Sequence, residues 1–347
     1  MPQPRDQSGG ILSVPGPRWL WSLCSGILIV AAVVFALSRR DEIAEAYRLI
    51  TAVRLARLPL PVACEALSVV FFAAVPRWLL RAGGVPMSLR RMTCTTVAAN
   101  ALAGLLPGGA AVSAAWLLHT LSRRGTGQLL AGVVLVASGV ASAASLFLML
   151  ALGVLVAGPD GPATAVRPLF LYLLVPALAA AVVIIGLSHV TGARRCLRRL
   201  WARTGGRSDR LRRAGADLND LIGQARRVQP RLLPWLQPLV FALLNWTFDL
   251  GCLTACIWSL GFAVPWQGLL LAYALTQIAS SLRLTPGSLG IAETTMSALL
   301  VAYGMPPGQA IATTILYRII SFWILQPVGW TCWVALTLEE AHTQEGR

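Results

Sequence analysis

The sequence predicts an all-α, polytopic integral membrane protein with about six full spans and two Pro-Gly-broken re-entrant hairpins in an inverted repeat. Three observations carry this. Several apolar runs exceed about eighteen residues, the length at which a run reads as a membrane span; the 347-residue chain is 56% hydrophobic and 12% charged, with mean hydropathy +0.68. Arginine gathers between those runs, where the positive-inside rule puts it. Two further apolar segments are broken in the middle, at Pro107-Gly108-Gly109 and at Pro286-Gly287, positions 179 residues apart (107 to 286).

Composition also excludes function classes. The net charge of +15 invites a nucleic-acid partner, but the surplus lies in loops between spans and serves topology instead. Every basic residue is Arg, with no Lys. Cys24, Cys64, Cys94, Cys196, Cys252, Cys256 and Cys332 form no C-x-x-C pair, and nearly all sit in apolar runs. They read as small buried hydrophobes, not as a metal site or disulfide framework. His119, His189 and His342 are scattered. No P-loop or dinucleotide fingerprint is present, and Gly287-Ser288-Leu289-Gly290 lacks the spacing of a nucleophile elbow. The expectation is no catalytic residue, no metal and no cofactor.

Taken in order, residues 1–58 hold a first span at 19–37, preceded by Arg5 and Arg18 and closed by Arg39-Arg40. No small-residue cleavage site follows it, so it reads as retained. Ile43, Tyr47, Ile50 and Val53 then recur at helical spacing, as an interfacial amphipathic helix or a plain connecting helix. Residues 59–157 form a first repeat: a second span at 60–80 closed by Arg77 and Arg81, the broken segment around 107–109, and a third span at 128–156. The Gly, Ala and Ser content of the third span suits close packing in lipid.

Residues 158–231 begin with the turn Gly158-Pro159-Asp160-Gly161-Pro162, continue as a fourth span at 168–188, and end in a polar stretch, 189–231, with twelve Arg and three Asp. That stretch reads as cytoplasmic, a topology determinant that also suits anionic headgroups. Residues 232–336 form a second repeat: a fifth span at 233–260 carrying Asn245 and Asp249, the segment broken at 286–287, and a last span at 309–336 carrying Arg318. A tail at 337–347 follows.

The two repeats align without a gap. Val85-Pro86 matches Val264-Pro265, Pro107-Gly108 matches Pro286-Gly287, and Gly125 matches Gly304, all at the same offset of 179 (85 to 264, 125 to 304). With 189–231 inside, the ends of the first hairpin face the cytoplasm and those of the second face outward, so the repeats are inverted and both termini are cytoplasmic. The stretch 39–58 goes against the charge rule in this scheme, with five Arg against three acids on the outer side.

Four charges lie well inside apolar runs: Asp249, Arg283, Glu293 and Arg318. Each opposes insertion by about 2.5–3.5 kcal/mol at a helix centre. Their charges cancel, so pairing within the bundle is expected. One reading is a set of buried salt bridges that only fix packing. The other is a polar cavity for a charged headgroup, with the helix N-termini after Pro107 and Pro286 favouring a phosphate and Arg283 or Arg318 holding it. Glu293 would then balance the arginines, meet a cationic headgroup or carry a proton. Asn100 and Gln277 read first as helix–helix contacts, and Gly104-x-x-x-Gly108 as a close-packing signal.

The run Pro286-Gly287-Ser288-Leu289-Gly290-Ile291-Ala292-Glu293, followed by Gly304, Leu316-Tyr317-Arg318 and Gly329, resembles the lysylphosphatidylglycerol synthase transmembrane, flippase-like family. Its pattern is a P-G-G-x-G-x-x-E turn, a later glycine and a Y-R pair in the final helix; Leu106-Pro107-Gly108-Gly109 resembles the first-half motif. The resemblance spans about 20–336. It implies a membrane protein that moves lipids between leaflets, with Pro286, Gly287, Gly290, Glu293 and Arg318 as its site; Arg283, Asp249 and Pro107, Gly108 and Gly109 join them from the residue reading.

Two departures stand out. Ser288 replaces the second glycine, and no charged residue lies between Arg91 and Arg123, where many relatives carry an Arg. The chain also ends about ten residues after the last span, so the aminoacyl-transfer domain of full-length synthases is not expected. The functional expectation is a cell-membrane transporter of phospholipid, aminoacyl-phospholipid or polyprenyl-linked headgroups. Membrane lipids are the expected partners, with no nucleic acid; a second copy or a separate lipid-modifying enzyme remains open. The alternative is a non-catalytic subunit that docks such an enzyme through the Arg-rich stretch.

Overall fold

A computed structural model describes residues 40–51, 53, 55–105, 109–123, 126–157, 236–281 and 285–345. The expected first span at 19–37, the fourth span at 168–188, the Arg-rich stretch at 189–231, and Pro107, Gly108 and Arg283 lie outside these residues. The described chain is helical, with no strand among the described residues: α1 (Arg40–Thr51), α2 (Pro59–Ala82), α3 (Leu89–Leu105), α4 (Gly109–Arg123), α5 (Gln128–Val156), α6 (Gln237–Ser259), α7 (Trp266–Ser281), α8 (Ile291–Ala302), α9 (Pro307–Arg318) and α10 (Leu325–Glu345).

Among the described residues, four helical stretches are long and apolar enough to cross a membrane: Leu55–Ala82, Gln128–Val156, Gln237–Ser259 and Pro307–Glu339. They are all-α spans in a membrane protein, as expected. Large side chains such as Val136, Val140, Phe147 and Leu155 stand exposed along α5. In water a face of this kind would be an aggregation hazard; against acyl chains it is satisfied. Prolines mark the helix starts, Pro59 and Pro61 in α2, Pro238 in α6 and Pro307 in α9, where a missing N–H loses nothing.

Between the long helices lie two hairpins. The half-helices α3, α4, α7 and α8 have 17, 15, 16 and 12 residues, each short of the about 20 that a straight span needs. α3 packs on α4, and α7 packs on α8.

The packing between the two halves of the chain is reciprocal. α2 and α6, the helices that precede the hairpins, lie along each other. Arg57 donates to the Trp258 carbonyl at 3.1 Å and stacks over its ring, Ser68 meets Asn245 at 3.0 Å, and Trp78 donates to Gln237 at 2.5 Å. Rising numbers on one helix meet falling numbers on the other, so the pair is antiparallel. Phe71 stacks between Phe241 and Phe248 at its centre. α3 packs on α10, where a Cβ on Gly329 would meet Ala101 and Val97, and α7 packs on α5, where a Cβ on Gly153 would meet the Leu271 backbone. Small residues set these close approaches, the expected device where lipid gives no hydrophobic drive to association.

α1 packs against α9, with Ala46 fully buried and Tyr47 exposed. α9 and α10 form one rod interrupted by a π-helical turn, Ile319–Trp323, in which the Ile324 amide reaches the Ile319 carbonyl at 2.9 Å. No proline or glycine occurs in that turn, so nothing in the local sequence announces it. Its place directly after Arg318 aims that side chain and Phe322 at the second hairpin's tip.

Candidate functional site

The tip of the second hairpin is a turn that few residue types can make. Pro286–Ser288 form a 3₁₀ turn, and Gly287, Ser288 and Gly290 have φ of 59°, 55° and 82°. A Cβ on Gly287 would lie 2.3 Å from the Phe322 ring, so the position admits only glycine. Ser288 takes the left-handed conformation at a cost of about 1–2 kcal/mol. Its hydroxyl donates to the Ser280 carbonyl at 2.6 Å, which partly offsets that cost. This explains the glycine that the family pattern carries at the same place. The turn touches α3, so the tip of one hairpin rests on a half-helix of the other.

Gly290 caps α8, and Glu293 three residues on returns its Oε2 to the Gly290 amide at 2.7 Å, half of a capping box. The other oxygen, Oε1, accepts from Arg318 Nε at 2.7 Å. Arg318 Nη2 donates to the Gly287 carbonyl at 2.7 Å, and the guanidinium lies 4.5 Å over the Phe322 ring. The Arg318 side chain is 13% exposed and Glu293 27%. The pair is sheltered yet reachable. A planar fork that bonds two directions at once, with an aromatic face beneath it, is a job for Arg and not for Lys. Glu293 thus places an anion of its own at the α8 N-terminus, the helix end that favours negative charge.

Behind the ion pair lies a second polar group. Asp249 on α6 accepts from the Tyr273 hydroxyl at 2.7 Å and Gln277 Nε2 at 2.9 Å through Oδ2, and from the Tyr317 hydroxyl at 2.7 Å through Oδ1. Gln277 also donates to the Tyr317 oxygen at 3.0 Å. Tyr273 and Gln277 share one face of α7 by their four-residue spacing. The group therefore ties α6, α7 and α9 together. It sits within the largest apolar core, among Cys252, Leu253, Cys256, Met296 and Leu300. Hydrogen bonds made in such surroundings are strong, and a broken one is expensive.

The structure brings Glu293, Arg318, Gly287 and Gly290 together at one turn that Pro286 opens. Asp249 joins them through Tyr317, next in chain to Arg318, with no ion pair of its own among the described residues. Gly109 starts α4 and its Cβ would meet the Ala103 carbonyl at 2.5 Å, so it is a close-approach glycine of the first hairpin. Gln277 is a satisfied contact, as its neighbours suggested, and Asn100 is exposed on α3.

Sequence reasoning missed Glu65. It lies on α2 at 6% exposure, with Asp249 of α6 within hydrogen-bonding reach. Its Oε2 is buried with no hydrogen-bond partner among the described residues. The signal was available: an acid inside the apolar stretch 59–82 belongs with the four charges found inside the other apolar runs. Tyr273 and Tyr317 were also unassigned, because a tyrosine in an apolar run announces no partner.

Residues 24–329 match the family described as the lysylphosphatidylglycerol synthase TM region. The chain is 27% identical over 90 residues to a UPF0104 membrane protein of Methanothermobacter thermautotrophicus, covering 26% of this chain and 27% of that protein. It is 30% identical over 91 residues to UPF0104 membrane protein PH1989 of Pyrococcus horikoshii, covering 26% and 27%. These matches span about a quarter of each curated relative's length. The long apolar helices make the chain a multi-pass membrane protein, and its family gives it a membrane lipid-related role. With the match extending from before α1 into α10, the chain belongs to the lysylphosphatidylglycerol synthase TM region family.

Proposed function

We propose that this protein is a non-enzymatic lipid translocase of the cell membrane, with both termini in the cytoplasm. It moves a phospholipid, aminoacyl-phospholipid or polyprenyl-linked headgroup between leaflets. The observation that carries the reading is the sheltered Arg318–Glu293 pair at a broken-helix tip inside an apolar bundle. A headgroup phosphate entering there replaces Glu293 as the partner of Arg318, and a released Glu293 meets any cationic part of the same headgroup. Exchange of partners avoids leaving either charge bare, which in this setting opposes movement by several kcal/mol.

Two further features support this. The antiparallel pairing of α2 with α6, and the reciprocal docking of α3 on α10 and α7 on α5, suit inverted repeats whose hairpins dip in from opposite faces and rock against each other. An apolar groove of about 400 Å³, lined by Leu60, Cys64, Leu250, Gly251, Trp258 and Trp266 among others, runs between α2, α6 and the start of α7 and suits an acyl chain.

The test is leaflet exchange of labelled lipids in liposomes carrying wild type, Glu293→Gln or Arg318→Ala. Exchange by wild type that falls in both variants supports the proposal. Equal exchange in all three and in empty liposomes overturns it.

A further inference from the structure

The Glu65–Asp249 contact is not used by the headgroup reading. α2 and α6 lie along each other, with Ser68 on Asn245 and Cys64 beside Gly251, and this register sets the buried Glu65 of α2 beside Asp249 of α6. As two carboxylates they would repel strongly in a medium of low dielectric. Asp249 already accepts three hydrogens, from Tyr273, Gln277 and Tyr317. Glu65 Oε2 is buried without a partner among the described residues, beside a group that can only accept. One hydrogen resolves both problems: placed on Glu65, it removes one of the two charges and gives the pair a donor to Asp249.

We propose that Glu65 and Asp249 form a proton-binding site that takes up and releases one proton. A metal cation fits the place poorly, because the surrounding Tyr and Gln groups present hydrogens to Asp249 and a cation needs lone pairs. On release, the Glu65 O–H bond breaks, its electrons stay on the carboxylate and the proton passes to water. The groups that face the pair are Cys64 from α2, Cys252 and Cys256 from α6, Tyr273 from α7, and Tyr317 and Arg318 from α9. Arg318 is the one cation among these groups. An added negative charge behind Tyr317 draws Arg318 away from Glu293 and the Gly287 carbonyl, which frees the turn. That last step rests on the translocase reading; the proton site does not.

The test is infrared difference spectroscopy of the full chain in liposomes during a pH titration. The expected result is a protonated-carboxyl C=O band that shifts in D₂O, disappears on alkalinisation, is lost in Glu65→Gln, and changes in frequency and titration range in Asp249→Asn. Circular dichroism of each variant establishes that it is folded, and two variants guard against one failing to fold. Absence of the band in wild type, its survival in Glu65→Gln, or its removal by sodium at constant ionic strength would each overturn the site. In parallel, lipid exchange is measured with and without a pH gradient. Acceleration in wild type that is lost in Glu65→Gln supports the link to movement; a gradient without effect overturns that link. A proton band with no lipid exchange at all keeps the site and removes the translocase reading.

Discussion

The two hairpins have the same build and opposite chemistry. At the repeat offset of 179, Glu293 corresponds to Ala114, Arg318 to Gly139, Asp249 to Val70, Tyr273 to Cys94 and Gln277 to Ala98. Every polar partner of the second site has a small or apolar counterpart in the first. The first hairpin is held by close backbone approach instead: Gly109 against the Ala103 carbonyl, Ser113 donating to the Ala99 carbonyl at 2.7 Å, and Gly329 of α10 against Val97 and Ala101. The two hairpins share a geometry, and the tip ion pair Arg318–Glu293 belongs to the second. A scaffold that needed the ions merely to fold its hairpins would carry them twice.

Removing Arg318 has the largest expected effect. Arg318→Ala leaves Glu293 without its cation and the Gly287 carbonyl without its donor. Stripping one partner from a sheltered pair destabilises by about 3–5 kcal/mol. Thermal unfolding in detergent should show a large drop in midpoint, and Arg318→Lys only partial rescue, because a point charge cannot serve both directions and the Phe322 ring. The matching change in the first repeat, Gly139→Ala, meets open space and should stay within about 0.5 kcal/mol of wild type. Similar losses at both positions would show that the asymmetry is only apparent.

Next in size is Gly287→Ala. The added Cβ meets the Phe322 ring at 2.3 Å and sits at φ 59°. Overpacking and left-handed strain together are expected to destabilise by about 2–4 kcal/mol. Gly290→Ala has φ of 82° but open space around it, so only the strain, about 1–2 kcal/mol, applies. Because the Phe322 ring also lies under Arg318, Gly287→Ala and Phe322→Leu should be non-additive in a double-mutant cycle. Additive losses would mean that the turn and the guanidinium do not share the ring.

These contrasts show what could be read in advance. Apolar length gave the spans, and α5 starts and ends where the run 128–156 does. Pro-Gly pairs gave both breaks, since a helix cannot continue through them. The partners were harder. Summing buried charges to zero suggested ion pairs, and Glu293–Arg318 is one. Asp249 instead uses two tyrosines and a glutamine from helices 24 to 68 residues away in sequence, a solution that charge counting cannot see. Glu65 was overlooked because it stands near the start of its helix. The π turn at 319–323 has no local signature; its cause is tertiary, the fit of Arg318 and Phe322 against the Pro286 turn.

The finest comparison is between the two turns themselves. At the offset of 179, Ser288 stands where the first repeat has Gly109, so Ser288→Gly restores the same Pro-Gly-Gly in both. Two effects oppose each other. Glycine relieves the left-handed strain at φ 55°, a gain of about 1–2 kcal/mol. It also removes the hydroxyl that donates to the Ser280 carbonyl, a loss of about 0.5–1.5 kcal/mol, and leaves a freer unfolded chain, which costs about 0.4–1 kcal/mol more. The expected net change in unfolding free energy is within about 1 kcal/mol of zero. A clear stabilisation would show that the serine is a strained substitution with little hydrogen-bond return. A loss beyond about 2 kcal/mol would mean that the Ser288–Ser280 bond, and not the backbone alone, holds the second tip in shape.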